Sequence, residues 1–264
     1  MPRSARVRPA QRLRIGVGFT GQVYSPGASR LDGMPDISQY LPFSRKPQLD
    51  DTGTTADWSA EIAATLTGIA DILETLSPEE WETPSLCAGW RVRDTAGHLV
   101  WRVGTPTREL LGTGWTAVRE QFPNPSVNHA VDSLSRRAAE AEPDALVASL
   151  RATAAEYAAG RVTGRGRHGI TELTEVVVHG LDLAHPLGRA LDVSPVALGA
   201  VAVRKALIAP TSVKAVVRRR TLVATDAGWR VGRGAVIDST AVNIVLFLFG
   251  REGFTPTGPR SPAA

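Results

Sequence analysis

The feature that most constrains the fold is a run of apolar residues with helical spacing that begins at Trp58. These residues recur at intervals of four and three, and they are Trp58, Ile62, Leu66, Ile69, Leu73 and Leu76. Such spacing places all of them on one face of a long helix. Because a helix must bury its apolar face against other elements, the pattern predicts a packed helical core. The 43% of apolar residues is sufficient for one and excludes a wholly disordered chain.

Three further segments have helical patterns and helix-starting or helix-ending signals. They are residues 92–104, 143–159 and 170–187. Before the first of them, Ser77-Pro78-Glu79-Glu80 has the residue order of a capping box and predicts a short helical turn around Trp81. The sequence therefore predicts a four-helix unit over residues 55–190.

The pattern changes after residue 190. Ser194-Pro195 predicts the start of a helix that continues to about Leu207, and the following pattern predicts two short strands at 220–225 and 229–231 around the Asp226-Ala-Gly228 turn. A further helix is predicted over 238–249, ended by Gly250. Together these elements predict a small mixed α/β domain over 191–264. The predicted fold class is α+β.

The basic charge of the chain is concentrated before residue 51. The formal net charge is +4, yet residues 1–50 alone hold eight Lys and Arg against three Asp and Glu. Residues 1–54 are rich in Gly, Pro, Ser and Arg without a sustained period. We expect a disordered arm or an over-extended translation start there, with Met34 as an alternative start. The remainder is close to neutral, so the charge does not favour a nucleic-acid partner.

The single cysteine limits both the compartment and the kinds of site. One cysteine, Cys87, excludes an intramolecular disulfide and a multi-cysteine metal site, and it suits a reducing cytoplasm. We expect Cys87 to be a small buried apolar residue. The longest uninterrupted apolar run is 244–249, far short of the roughly 18 residues that a membrane helix needs, so we expect no membrane partner.

The segment most informative about chemistry is Glu175-Val-Val-Val-His179-Gly-Leu-Asp182. On a helix, Glu175 and His179 lie about 6 Å apart along the axis, whereas on a strand they would be about 13 Å apart. Three valines favour a strand, but the length of the segment and its apolar spacing favour a helix. A buried acid and histidine without a partner would be costly, and a metal ion would remove that cost.

A catalytic zinc site generally needs a third protein ligand, and His98 is the best candidate because it lies among apolar residues of a neighbouring predicted helix. His185 points about 120° away from His179, and His129 and His168 lie in polar, loop-like sequence where we expect them to be solvated. Asp182 is either a group that orients His179 or an ordinary helix acid. Glu172 is predicted to interact with the helix dipole in the first turn.

Three groups of motifs resemble the mycothiol-dependent maleylpyruvate isomerase family. The first group is Leu76-Ser-Pro-Glu-Glu-Trp81, Pro84-Ser-Leu-Cys-Ala-Gly-Trp90 and Gly97-His98-Leu99; the second is Glu175-Val-Val-Val-His179-Gly-Leu-Asp182-Leu; the third is Leu222-Val-Ala-Thr-Asp226 with the terminal Leu248-Phe-Gly-Arg251. The resemblance covers about residues 55–252. It implies a DinB-like up-and-down four-helix bundle followed by a small sterol-carrier-like domain.

The same resemblance implies a function. It places a divalent ion, usually zinc, on His98, Glu175 and His179, and it makes mycothiol the thiol cosubstrate of an isomerisation or of thiol transfer to an electrophilic substrate. Independently of the resemblance, an arginine near the C-terminal unit could hold a substrate carboxylate through two parallel bonds, and the unranked candidates are Arg219, Arg220, Arg230, Arg233 and Arg251. The alternative is a metal-binding stress or sensing protein without catalytic activity.

Overall fold

A computed structural model describes residues 56–106, 108–110, 112–113, 116, 127–164 and 166–259. All of these residues fall in one compact unit. The predicted disordered arm over residues 1–54 lies outside the described residues, so that interpretation stays a prediction.

The N-terminal half of the described chain is helical. In chain order its helices are α1 (Ser59–Glu74), α2 (Pro78–Trp81), α3 (Val92–Leu99), α4 (Val127–Ala138), α5 (Pro143–Ala158) and α6 (Ile170–Ala184). A π-helical turn, Val100–Gly104, continues α3 without a break. Helix α1 packs along α5 and α6, and α3 packs against α6. The four predicted long helices are therefore α1, α3 with its π-helical turn, α5 and α6.

The short helix α2 begins as the sequence predicts. The Ser77 hydroxyl accepts a hydrogen bond from the backbone N–H of Glu80 at 3.3 Å, and the Glu80 carboxylate accepts one from the backbone N–H of Ser77 at 2.8 Å. This reciprocal pair is a capping box, and it satisfies backbone donors that the first helical turn leaves without partners.

Helix α4 was not predicted, and the loop-like interpretation of the sequence around His129 is wrong. Among the residues of α4 whose burial the structure describes, the buried apolar ones are Ala130 and Leu134, which pack against Trp101. Two residues give too weak a periodic signal to distinguish a helix from a polar loop. His129 lies on the exposed side of α4.

The C-terminal part combines helices with a small sheet. Its elements are α7 (Pro195–Ile208), α8 (Thr211–Val217), β1 (Arg220–Ala224), β2 (Trp229–Gly232), β3 (Ala235–Ser239), α9 (Ala241–Leu248), β4 (Phe254–Thr255) and β5 (Gly258–Pro259). Strand β1 is central, antiparallel to β2 and parallel to β3, while β4 and β5 form a separate antiparallel pair. The connection between β2 and β3 passes across the start of β1, where a Cβ on Gly232 would overlap the carbonyl oxygen of Arg220.

The helix predicted over 238–249 starts at a later residue in the structure. Asp238 and Ser239 extend β3 beside β1, and α9 starts only after Thr240. The Thr240 hydroxyl accepts the backbone N–H of Asn243 at 3.3 Å and so fixes the helix start. The predicted stop at Gly250, whose φ is +71°, agrees with the structure.

One apolar cluster joins the two parts. It includes Leu66 of α1 and Leu173 of α6 as well as Leu222 of β1 and Ile244 of α9, all of them fully buried. The predicted α+β class is confirmed, whereas the division into domains at residue 190 stays a prediction. Within the described ranges, no single helix is long and apolar enough to cross a membrane; only α7 and α8 taken together, bent by 116°, reach that length and composition.

Candidate metal centre

Helices α3 and α6 bring the three predicted ligands together. The Nε2 atom of His98 lies 3.2 Å from Oε2 of Glu175, and Nε2 of His179 lies 3.6 Å from the same oxygen. One potential ligand atom from each residue lies within 4.8 Å of the others. The helical alternative for the Glu175–His179 segment is therefore correct, because one turn of α6 aligns the two side chains.

The outward-facing nitrogen of each imidazole is also fixed. Nδ1 of His98 is 3.0 Å from the Ser135 hydroxyl of α4, and Nδ1 of His179 is 3.0 Å from Oδ2 of Asp182. Asp182 is fully buried. Both histidines therefore direct Nε2 toward the carboxylate of Glu175 and hold Nδ1 in a second hydrogen bond. Of the two interpretations of Asp182, the orienting one matches this geometry.

Two tryptophans flank the cluster. The Trp90 ring centroid lies 5.1 Å from that of His98 and 6.1 Å from that of His179, and the Trp101 ring lies 6.0 Å from His98. The indole N–H of Trp90 donates to Asp132 of α4 at 2.6 Å, which fixes the ring. The His98 side chain is 5% exposed and that of Glu175 is 27% exposed, so solvent reaches the cluster from the Glu175 side.

The protonation equilibria of the three residues are shifted in different directions. Burial lowers the pKa of His98. Burial also opposes the charge on His179, but hydrogen bonds to Asp182, Cys87 and Glu175 outweigh it and raise the pKa of His179 well above its ordinary value. Burial likewise disfavours ionised Glu175, yet the bonds from both histidines hold its pKa far below the usual range. The cluster therefore contains a carboxylate and one readily protonated imidazole.

Glu172 lies one turn before Glu175, and its predicted role is incomplete. It occupies the first turn of α6 as expected, but it is buried between two arginines. Arg102 of the π-helical turn donates to both its oxygens at 2.9 and 3.2 Å, and Arg167 donates to Oε1 at 3.1 Å. The main partners of Glu172 are thus two guanidinium groups, which fasten the end of α3 to the start of α6.

Cys87 is not the buried apolar residue that the sequence predicts. It is half-buried in the loop before α3, with Sγ 3.1 Å from Oδ2 of Asp182 and 3.4 Å from Nδ1 of His179. The thiol therefore lies behind His179, on the side away from Glu175. The spacing of Cys87 and Trp90 in the sequence does not indicate that the thiol lies beside His179. The conformation of the loop determines the position of the thiol.

The remaining histidines lie away from the cluster. His168 is half-buried rather than solvated, with Nδ1 2.8 Å from the Ser59 hydroxyl. His185 is exposed and packs its ring at 5.0 Å from that of Phe254. Sequence reasoning missed Ser135 and Asp132, because helix α4 that carries them was not predicted.

Among the five C-terminal arginines, Arg251 is the one that contacts Asp182 and Cys87 behind His179. Its Nη2 lies 3.5 Å from Sγ of Cys87, and it also bonds Asp182. The other four side chains are exposed and lie on or beside the small sheet; they are Arg219, Arg220, Arg230 and Arg233.

Comparison with known protein families gives a match over the segment that contains the cluster. The family described as "Mycothiol maleylpyruvate isomerase N-terminal domain" matches residues 62–184, a range that contains all three predicted ligands. The chain therefore carries a mycothiol maleylpyruvate isomerase N-terminal domain. The family resemblance seen in the sequence is confirmed for this domain. The matched range ends before α7, so the likeness of the C-terminal part to a sterol-carrier fold stays a prediction.

Two solved structures are also similar to the chain. One is the crystal structure of the mycothiol-dependent maleylpyruvate isomerase, with 17% identity and a TM-score of 0.49; the other is that of a mutant of this isomerase, with 18% identity and a TM-score of 0.48. Each alignment covers 76% of this chain and 90% of the other. A search of curated proteins found no match.

Proposed function

We propose that this protein is a metal-dependent, thiol-using enzyme in which His98, Glu175 and His179 hold a divalent ion, with zinc as the metal and mycothiol as the thiol cosubstrate. The observation that carries the proposal is the convergence of two imidazole Nε2 atoms on one carboxylate oxygen, at 3.2 and 3.6 Å. The family domain over residues 62–184 supports the choice of thiol.

The separations among the ligand atoms fit such an ion. Ligand atoms about 2.0–2.1 Å from a tetrahedral zinc ion lie about 3.3 Å from one another. The observed distances of 3.2 and 3.6 Å bracket this value without movement of either helix. Two histidines and one carboxylate are a common ligand set of catalytic zinc, and three protein ligands leave a fourth position for a thiol or substrate.

The side chains around the cluster have separate tasks. Ser135 and Asp182 hold the Nδ1 atoms of the two histidines, so that both Nε2 lone pairs face the cluster. Trp90 and Trp101 cover the His98 side and limit the access of water there. A bound zinc ion would supply a Lewis acid that favours the thiolate form of a coordinated thiol at neutral pH.

The proposed reactions are isomerisation of an activated double bond and transfer of the thiol to an electrophilic substrate. Because the thiol arrives with the cosubstrate, neither reaction needs a catalytic cysteine in the chain. The partners that we propose are thus small molecules, with no nucleic acid and no membrane. A single cysteine suits a reducing cytoplasm, and the use of mycothiol suggests an actinobacterial source.

The first test is metal analysis of the full chain and of two histidine variants. We expect about one zinc ion per wild-type chain, loss of that ion in His179→Ala, and full retention in the control His185→Ala, whose side chain is exposed on the Phe254 side. Undiminished zinc in His179→Ala would refute the site.

The second test asks whether the protein is an enzyme. Purified protein with and without zinc is mixed with mycothiol and an electrophile, and thiol consumption is followed. Zinc-dependent consumption supports the proposal. A protein that binds zinc at this site but gives no zinc-dependent consumption would instead be the non-catalytic metal-binding protein that the sequence left as the alternative.

A further inference from the structure

Arg251 reaches from the C-terminal part of the chain to the base of the candidate metal centre. It follows α9 and the stop at Gly250, and its guanidinium group lies beside Asp182 of α6. Nε donates to Oδ1 at 2.6 Å and Nη2 donates to Oδ2 at 2.5 Å. Two parallel bonds of this kind fix the plane of a carboxylate as well as its position.

The loop before α3 also holds Asp182, in addition to Arg251 and His179. The Leu86 backbone N–H donates to the Asp182 carbonyl oxygen at 3.0 Å, and the Cys87 thiol donates to Oδ2 at 3.1 Å. Oδ2 therefore faces three groups: the Cys87 thiol, Nη2 of Arg251 and Nδ1 of His179. The carboxylate is fully buried, whereas 18% of the Arg251 side chain is exposed.

The orientation of Asp182 bears directly on His179. A neutral imidazole carries its proton on one nitrogen, and the hydrogen bond at that nitrogen decides which one. A carboxylate fixed at 3.0 Å from Nδ1 keeps the proton there and leaves Nε2 as the lone pair facing Glu175. With the carboxylate free to rotate, the proton could occupy Nε2, and that nitrogen could not coordinate a metal.

We propose that Arg251 is a positioning residue for the metal centre: it fixes the carboxylate of Asp182, which in turn fixes His179 with Nε2 available to the ion. The inference rests on the proposed function. It adds that metal affinity depends on a residue 69 positions after Asp182, outside the matched family domain of residues 62–184. The metal centre is then completed by the C-terminal part of the chain.

The test compares zinc affinity in full-length variants, measured by competition with a chromogenic chelator. Arg251→Met removes both bonds at similar side-chain length, and Arg251→Lys keeps a positive charge but not the paired donors. Arg233→Met is the matched control, because Arg233 is an exposed arginine on the turn after β2, and its backbone N–H bonds Val217 of α8. Loss of a partner that orients a ligand typically weakens metal binding by about 10- to 100-fold.

We expect Arg251→Met to bind zinc about 10- to 100-fold more weakly than wild type, and the zinc affinity of Arg251→Lys to lie between the two. The zinc affinity of the control should stay within about twofold of wild type. The visible spectrum of the cobalt-loaded protein should change in Arg251→Met and not in the control, a change that lost packing elsewhere would not produce. Zinc affinity and cobalt spectrum equal to wild type in Arg251→Met would overturn the inference while leaving the metal site intact. Failure of the wild type to bind zinc would instead contradict the proposed function.

A second comparison covers the case in which Arg251→Met folds poorly. If Arg251 acts through Asp182, the double variant Asp182→Asn with Arg251→Lys should bind zinc about as weakly as Asp182→Asn alone, because the intermediate group has already been altered. Independent effects that multiply in the double variant would show that Arg251 acts by another route.

Discussion

The contact between α3 and α4 at Gly97 is the packing feature on which the candidate site depends most directly. A Cβ atom at Gly97 would lie 2.6 Å from the backbone nitrogen of Ala139 and 2.6 Å from the carbonyl oxygen of Ser135. Both are backbone atoms at the end of α4, so neither can move aside alone. Ordinary contact begins near 3.4 Å, and the end of α4 would have to retreat by about 0.8 Å.

The expected cost of Gly97→Ala follows from two opposing effects. Overpacking of this kind typically costs about 1–3 kcal/mol, and a clash with backbone belongs in the upper half of that range. Replacement of glycine by alanine inside a helix returns about 1 kcal/mol. We therefore expect a net loss of about 1–2 kcal/mol in the free energy of unfolding. The retreat would also stretch the Ser135 contact to His98, so zinc affinity should fall as well.

Gly68→Ala is the matched control, measured beside Gly97→Ala by urea unfolding of chelator-treated protein. Gly68 also lies inside a helix, but its added Cβ would meet only the end of the Leu191 side chain, at 3.2 Å. The helix-propensity gain should then dominate, leaving this variant as stable as wild type or up to about 1 kcal/mol more stable. If the two alanine variants unfold at the same urea concentration, the backbone-contact argument is wrong.

Three further predictions concern buried charge, pH and capping. Glu172→Gln leaves the guanidinium groups of Arg102 and Arg167 facing each other without a counter-charge. Because Arg102 keeps some solvent contact, we expect the free energy of unfolding, measured with urea, to fall by about 3 kcal/mol. No measurable fall would count against a stabilising role of the three charges. Zinc addition should raise the melting temperature less at pH 6 than at pH 8, because the raised pKa of His179 keeps a proton on the imidazole that zinc must displace. Calorimetry that shows the same increase at both pH values would contradict this. Ser194→Ala should destabilise the protein by about 1 kcal/mol, because it removes the hydroxyl that accepts the backbone N–H of Ala197 at 3.1 Å at the start of α7. The control is Ser149→Ala, at an exposed position inside α5.

Much of the helical framework could be predicted from local sequence. The stripe that begins at Trp58 gave α1, the capping box at Ser77 gave α2, and the terminal glycine at Gly250 gave the end of α9. These signals succeed because helix periodicity and capping involve residues only a few positions apart. Helix α4 and strand β3 were missed because each is stabilised mainly by contacts with distant segments.

The candidate ligands were predictable for a similar reason. Glu175 and His179 lie one turn apart, so a correct assignment of the helix is enough to align them. His98 required a further step, since its place opposite Glu175 depends on how α3 packs against α6. The sequence favoured His98 through its apolar surroundings and through the family motif around it.

The sequence by itself determined the helical periods, their caps and the residue types able to hold a metal, because these depend on neighbours along the chain. Only the tertiary structure decided which groups surround those residues. Cys87 lies beside His179 and Arg251 lies against Asp182, although Cys87 and Arg251 are 164 positions apart in the chain. No local pattern encodes such contacts, because they arise only when the loop before α3 and the chain after α9 pack against the same side of α6.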